Sequence, residues 1–233
     1  MEKVVEFRNV VKRLGGVAVL DGLTFDVRKG EILSIVGPSG TGKSVTLKHA
    51  AGLMTPDSGE VVTSTGRIGY LFQSGALLAW MTAYENVALP LVETTKLSDG
   101  EIDLRVMDAL RAVGLEDAAD KYPSEMSGGM QKRAGLARAI VCEAEVILYD
   151  EPTSGLDPVT SASIMRLIRE IRDRRGVTSV VVTHDLALAM RTSDRIMLVS
   201  GGRSVLCAPP GEFAASEDPQ VAEFLSAMKG DGL

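Results

Sequence analysis

Apolar and polar positions divide this chain into short apolar runs that end on polar residues and one long stretch of helical periodicity. Residues 4–11 and 23–27 are rich in β-formers and set off by Gly15-Gly16 and Asp21-Gly22, which predicts an antiparallel layer at the start. The run Ile32-Leu33-Ser34-Ile35-Val36 predicts a buried strand, followed by a glycine-rich turn and a helix through Leu53. Thr55-Pro56-Asp57-Ser58-Gly59 then punctuates the chain before Glu60-Val61-Val62, and residues 67–72 read as another buried strand ending at Gln73. From Ala83 to about Leu115 the period becomes helical, with Ile102, Val106, Leu110 and Val113 as the packing face of a helical lobe and Ser98-Asp99-Gly100-Glu101 as a capping box. Ser127-Gly128-Gly129 introduces a further helix over residues 130–141.

Val146-Ile147-Leu148-Tyr149 predicts a buried strand closed by Asp150-Glu151, and Pro152 forbids its simple continuation. A turn at Ser154-Gly155-Leu156-Asp157-Pro158 leads to a helix reaching about Arg174, and residues 179–183 form one more buried strand ending at His184-Asp185. A hairpin at Gly201-Gly202, a turn at Pro209-Pro210-Gly211 and a helix near residues 219–228 complete the pattern, without internal repeats. Alternation of strands and helices predicts an α/β fold.

At 233 residues the chain suits one large α/β domain or a domain carrying an inserted lobe. The 25 basic and 31 acidic residues give a net charge of -6, which argues against nucleic acid as a partner, since phosphate backbones require concentrated Lys and Arg. Cys142 and Cys207 stand far apart with no metal-ligand spacing, so they read as buried small apolar residues rather than a disulfide or zinc site. Met1-Glu2-Lys3-Val4-Val5-Glu6 lacks the apolar segment of a signal peptide and no run is long enough to span a bilayer. The expectation is a cytoplasmic chain whose membrane role, if any, comes through a partner.

The chemistry concentrates at strand ends. Gly37-Pro38-Ser39-Gly40-Thr41-Gly42-Lys43-Ser44, between a strand and a helix, fits a phosphate-binding loop: Gly40 and Gly42 let the backbone turn its N–H groups around a polyphosphate, with the helix dipole behind. Lys43 is expected to reach the β- and γ-phosphates and Ser44 to hold Mg²⁺. If the strands lie side by side, Gln73, Asp150, Glu151 and His184 meet around that phosphate. Asp150 then serves the metal, Glu151 acts as general base toward the attacking water, Gln73 touches both metal and water, and His184 donates to the γ-phosphate. Glu151 also suits a turn cap at Pro152, and His184 a plain hydrogen-bonded strand end. Ser127-Gly128-Gly129 offers a second set of N–H groups to an anion, which a head-to-tail pair of chains would use; an ordinary Ser-capped helix is the alternative.

As a set these motifs resemble the ATP-binding cassette (ABC) family over nearly the whole chain. Gly37 to Ser44 look like its Walker A loop, Gln73 its Q-loop, Met126 to Met130 its signature, Val146 to Glu151 its Walker B strand, Ser154 to Asp157 its D-loop and His184 its switch. The resemblance implies one ATPase domain with a P-loop NTPase core of mainly parallel sheet and an N-terminal antiparallel β layer (residues 1–73 and 143–233), and an inserted helical signature lobe (74–142). It also implies ATP and Mg²⁺, nucleotide contacts extending to Val45 and Asp157, and a homodimer closing on ATP to drive a membrane permease from the cytoplasmic face of the cell membrane. Leu71 to Leu77, Met126 to Met130 and residues 218–225 look like the ATPases of lipid-asymmetry (Mla) and other Mce-associated lipid transporters, which implies phospholipid cargo, an Mce-domain protein and a small STAS-domain subunit. ABC ATPases of amino-acid or lipoprotein systems, and soluble ATPases of the same fold, are the alternatives.

Within that resemblance, Trp80 and Tyr84 fall where the family receives the permease's coupling helix, and they equally suit packing of the lobe. Leu14 stands where the family often stacks an aromatic on adenine, which implies looser base recognition. Met130 replaces the usual Gln of the signature, as in the lipid subgroup. The segment between Gly59 and Gln73 is roughly fifteen to twenty residues shorter than the family pattern, so part of the antiparallel layer is expected to be trimmed.

Overall fold

The computed structural model describes residues 2–230. Along the chain run β1 (Lys3–Leu14), β2 (Val17–Arg28), β3 (Ile32–Val36), α1 (Lys43–Ala50), β4 (Ser58–Thr63) and β5 (Ile68–Leu71). There follow α2 (Ala83–Thr94), α3 (Asp99–Ala112), α4 (Gly128–Ile140), β6 (Val146–Asp150) and α5 (Pro158–Arg175). The remainder is β7 (Thr178–Val182), α6 (Leu186–Thr192), β8 (Arg195–Ser200), β9 (Arg203–Ala208), α7 (Pro210–Ala214) and α8 (Pro219–Gly230). The fold is α/β, with an antiparallel layer, mostly parallel core strands and helical insertions, as the pattern predicts.

The chain forms two compact units, one made of the residues up to Gly66 together with those from Thr178 onward, the other of Arg67–Val177. In the first unit β2, β1 and β4 pair antiparallel in that order. Phe7 and Phe25, on facing strands, stack with ring centroids 4.6 Å apart. Asp21-Gly22 does not break the strand as its turn-like composition suggests; it lies inside β2, where register shifts absorb the irregularity. In the same unit β7, β3 and β8 are parallel and β9 returns antiparallel to β8 through the Gly201-Gly202 turn. β3 and β7 are buried at every position, which is why they read as unbroken apolar runs. Pro209-Pro210-Gly211, expected as a turn, instead opens α7: Pro210 takes the first helical position, where its missing N–H costs nothing. Phe213 of α7 and Val221 and Phe224 of α8 pack on Val36, Ile196 and Leu198, so the last helices close this core.

In the second unit β5 and β6 are parallel and α2 to α5 supply the helical part. The expected helical stretch is two helices, interrupted between Thr94 and Asp99, and Val106, Leu110 and Val113 of the anticipated stripe are buried. Ser98 starts α3 by donating its N–H (2.8 Å) and hydroxyl (2.7 Å) to Glu101, half of the reciprocal capping box. α4 begins at Gly128, two residues earlier than its apolar pattern indicates, because the Ser127 hydroxyl accepts the Met130 N–H at 3.3 Å. Cys142 and Cys207 are half-buried rather than buried, and the Cys207 sulfur accepts from Arg195 Nη2 at 2.9 Å.

β5 approaches α4 so closely that a Cβ on Gly69 would stand 2.3 Å from the backbone oxygen of Ala139. No side-chain rotation relieves a clash with a main-chain oxygen. Gly69→Ala should therefore destabilise the chain by about 1–3 kcal/mol or more through overpacking, read as a fall of several degrees in the thermal midpoint. An unchanged melting curve would mean that β5 and α4 are not in this contact.

Candidate functional site

The candidate residues divide between the two units. In the first, the loop from Gly37 to Gly42 joins the buried β3 to α1, and Pro38, Ser39 and Gly40 are exposed while Lys43 is buried. Gly42 has φ of 92°, and a Cβ there would lie 2.7 Å from the Val19 backbone oxygen and 2.8 Å from Leu20 Cδ2. Only glycine fits a left-handed turn pressed against β2 in this way. The Gly42 carbonyl in turn accepts the Thr46 N–H (2.8 Å) and hydroxyl (3.0 Å), which sets the first turn of α1. Lys43 Nζ donates to the carbonyls of Gly37 (2.8 Å) and Pro38 (2.7 Å), and the Thr41 hydroxyl to that of Pro38 (2.9 Å). The lysine thus braces the loop's own carbonyls.

β3 and β7 bring a second group beside the loop. Ile35 pairs with Val182, so Gly37 and His184 each leave the sheet two residues past the same rung, and His184 is exposed there. Asp185 after it caps α6, its Oδ1 accepting the Leu188 N–H at 2.8 Å. Leu14 is 41% exposed and faces Val17, 67% exposed, across the Gly15-Gly16 hairpin, on the strand whose Val19 and Leu20 abut Gly42.

The second unit repeats the arrangement. Leu71 of β5 pairs with Tyr149 of β6, so Gln73 and Glu151 also leave adjacent parallel strands at one level. Asp150, at the end of β6, is buried and accepts the Tyr70 hydroxyl at 3.2 Å. Burial first, then the Asp150 charge, holds the Tyr70 phenol well above its ordinary pKa, so Tyr70 stays a donor to that carboxylate. Glu151 has φ of 49°, left-handed backbone for a non-glycine residue, which costs about 1–3 kcal/mol; the following Pro152 disfavours the ordinary helical well. Gln73 is exposed and its Nε2 donates to Ser154 Oγ at 3.3 Å. Lys132 of α4 is buried and donates to the carbonyl of Gln73 and, at 3.1 Å, to that of Glu151. Burial pushes its ammonium below the ordinary lysine value, against the opposing pull of the Glu151 and Asp150 charges.

Ser127 and Gly128 open α4 on the surface. Gln131 Nε2 donates to the carbonyls of Pro123 (2.8 Å) and Met126 (3.3 Å) and so fixes the turn that leads into them. A Cβ on Gly128 would touch Leu156 (3.3 Å) and one on Gly129 would crowd Thr160 (2.7 Å), so the Ser-Gly-Gly start packs beside the start of α5. There Asp157 caps α5, accepting the Val159 and Thr160 N–H groups at 3.0 Å each. A hydrogen bond from the Thr160 side chain first, and then those backbone bonds, hold its carboxyl below the usual range.

Tyr70 and Lys132 escape a reading of the sequence. Lys132 left a trace: it shares a helix face with Gly135, Leu136 and Ala139, and a lysine on a small and apolar stripe needs a buried partner. Among the described residues no cluster of three or more His, Cys, Asp or Glu could itself hold a metal.

A buried strand, a glycine-turned loop and a helix that opens on a buried lysine are the arrangement of a nucleoside-triphosphate-binding protein. The chain belongs to the ABC transporter family, which residues 20–154 match. It is the ATP-binding, ATP-hydrolysing subunit of such a transporter. It is 38% identical over 240 residues to the intermembrane phospholipid transport system ATP-binding protein MlaF of Escherichia coli (strain K12), covering 97% of this chain and 89% of that one. It is also 38% identical over 244 residues to the probable ribonucleotide transport ATP-binding protein mkl of Mycobacterium leprae (strain TN), covering 98% and 70%. The dimeric structure of the ATP-binding cassette MJ0796 in a post-hydrolysis state with ADP and Pi superposes with a TM-score of 0.80 at 33% identity, over 88% of this chain and 98% of that one.

Proposed function

We propose that two copies of this chain close head to tail on ATP and that this closure drives a membrane permease moving phospholipid. The single observation that carries the cargo reading is the likeness to MlaF along nearly the whole length of both chains. The dimer reading is supported by the Ser127-Gly128 helix start, which opens on the surface and so is open to a nucleotide held by a second copy.

In this reading the N–H groups from Gly37 to Val45 and the Lys43 ammonium bind the phosphates, with Ser127, Gly128, Gly129 and the Asp157 turn of the other copy completing the site. Ser44, Gln73 and Asp150 hold Mg²⁺, which when bound neutralises charge developing on the phosphate oxygens. Tyr70 fixes the direction of the Asp150 carboxylate through its hydrogen bond. Glu151 accepts the proton of the attacking water, and Gln73 and His184 orient water and γ-phosphate by hydrogen bonds. Leu14 and Val17 offer the base an aliphatic surface, which gives area without the directionality of an aromatic face.

No helix of the described residues is long and apolar enough to cross a membrane. In this reading the permease, implied by the likeness to MlaF, supplies the spanning segments. Trp80, 72% exposed just past Gln73, is the anchor we assign to permease docking at the cytoplasmic face. An Mce-domain protein and a small STAS-domain subunit are the further partners this reading implies. The test is to tag the chain in the cell that makes it, purify its membrane complex in detergent, and identify subunits and bound lipid by mass spectrometry. A permease with an Mce-domain protein and retained phospholipid is expected. A permease with a soluble-substrate receptor and no lipid would overturn the cargo reading.

A further inference from the structure

We propose that Lys132 is a positioning residue for ATP hydrolysis, holding the main chain of Gln73 and Glu151 in one fixed relation and so aiming the Glu151 carboxylate. The inference rests on the reading of Glu151 as general base. Lys132 is 6% exposed, and its ammonium is given to main-chain oxygens: that of Gln73, and that of Glu151 at 3.1 Å. These two carbonyls belong to the two residues that leave β5 and β6 at the same level. Charge-assisted bonds of this kind are the stronger class, and here one donor group spans both strand ends.

The Glu151 backbone needs such support. Its φ of 49° is a conformation that a non-glycine residue keeps only when its surroundings over-determine it. Its carbonyl is gripped from two sides, by Lys132 and by the Ser154 N–H at 3.2 Å. Release of the Lys132 bond would leave the peptide free to relax, and the carboxylate would swing with it. Because Lys132 stands on α4, the helix opened by Ser127-Gly128-Gly129, a shift of that helix reaches Gln73 and Glu151 through one side chain.

The experiment is kinetic and uses the full-length chain in its purified transport complex. Lys132→Met should lower kcat by about ten-fold or more while the KM for ATP and the affinity for a fluorescent ATP analogue stay within about two-fold, the signature of an interaction used in the reaction step. Lys132→Arg, which keeps charge and reach, should recover most of the loss. In a Glu151→Gln background, Lys132→Met should slow single-turnover hydrolysis by less than about two-fold further, since residues acting through one group are non-additive. A wild-type kcat in Lys132→Met, a further ten-fold loss in the Glu151→Gln background, or a parallel loss of binding, turnover and thermal stability would each overturn the proposal. If Lys132→Met does not fold, Lys132→Gln is read by the same criteria. Wild-type turnover in Glu151→Gln alone would remove the base assignment and this inference with it, whereas a slow Glu151→Gln beside an unimpaired Lys132→Met removes only the role of Lys132.

Discussion

Glu151→Gln should bind ATP as the wild type does, hydrolyse it about 10²–10⁴-fold more slowly, and accumulate as an ATP-bound dimer. The substitution keeps size and hydrogen bonding but removes the carboxylate that we propose accepts the proton of the attacking water, a loss equivalent to about 3–5 kcal/mol of barrier. Binding should survive because the Lys43 bonds to the carbonyls of Gly37 and Pro38 and the Tyr70 bond to Asp150 are each made between groups that the substitution leaves in place. The bonds to the Glu151 carbonyl are main-chain bonds and persist in the variant, so a rate loss reports the carboxylate rather than a collapsed turn. Single-turnover hydrolysis with size-exclusion chromatography in ATP measures both effects. Wild-type turnover would return Glu151 to the role of a turn cap before Pro152.

What could be read in the sequence was whatever depends on short spacing. The strand, glycine-rich loop and helix around Gly37 to Ser44 are spelled in consecutive residues, and β3, β6 and β7 declare themselves because strands buried on every position have no polar alternation. Asp150 and Glu151 stood out for the same reason, as charges at the end of an apolar run. What was not legible depends on residues far apart in the chain meeting in space. Tyr70 reads as one more apolar-run aromatic until its hydroxyl is seen on Asp150, 80 residues on. Lys132 shows by its small and apolar helix face that it needs a buried partner, but not that the partner is the carbonyl of Gln73, 59 residues before it. Gly69 carries no turn signal at all, since its need for a bare Cα comes from Ala139 of α4. Local misreadings have equally local causes: Asp21-Gly22 has turn composition but is held in β2 by pairing on β1, and Pro210 follows Pro209 yet begins a helix.

The strongest test of a site built by two copies is Ser127→Arg, which should abolish ATP-driven dimerisation while each monomer still binds nucleotide. Ser127 is exposed and its side chain caps the Met130 N–H, while its carbonyl accepts the Gln131 N–H at 2.9 Å whatever the side chain, so losing the cap costs about 1 kcal/mol and leaves α4 anchored by its buried face and by Gln131. The effect expected is steric. The N–H groups of Gly128 and Gly129 can bond a phosphate only within about 3 Å, and an arginine side chain at the helix mouth keeps a facing nucleotide beyond that distance even while its charge attracts it. Ser127→Ala is the control, removing the cap without adding bulk, and should weaken dimerisation without abolishing it. Sedimentation in the presence of ATP reads the dimer, and a fluorescent-nucleotide titration reads the monomer. Loss of nucleotide binding by the Ser127→Arg monomer would mean that α4 serves the nucleotide of its own chain, and the head-to-tail arrangement would fall with it.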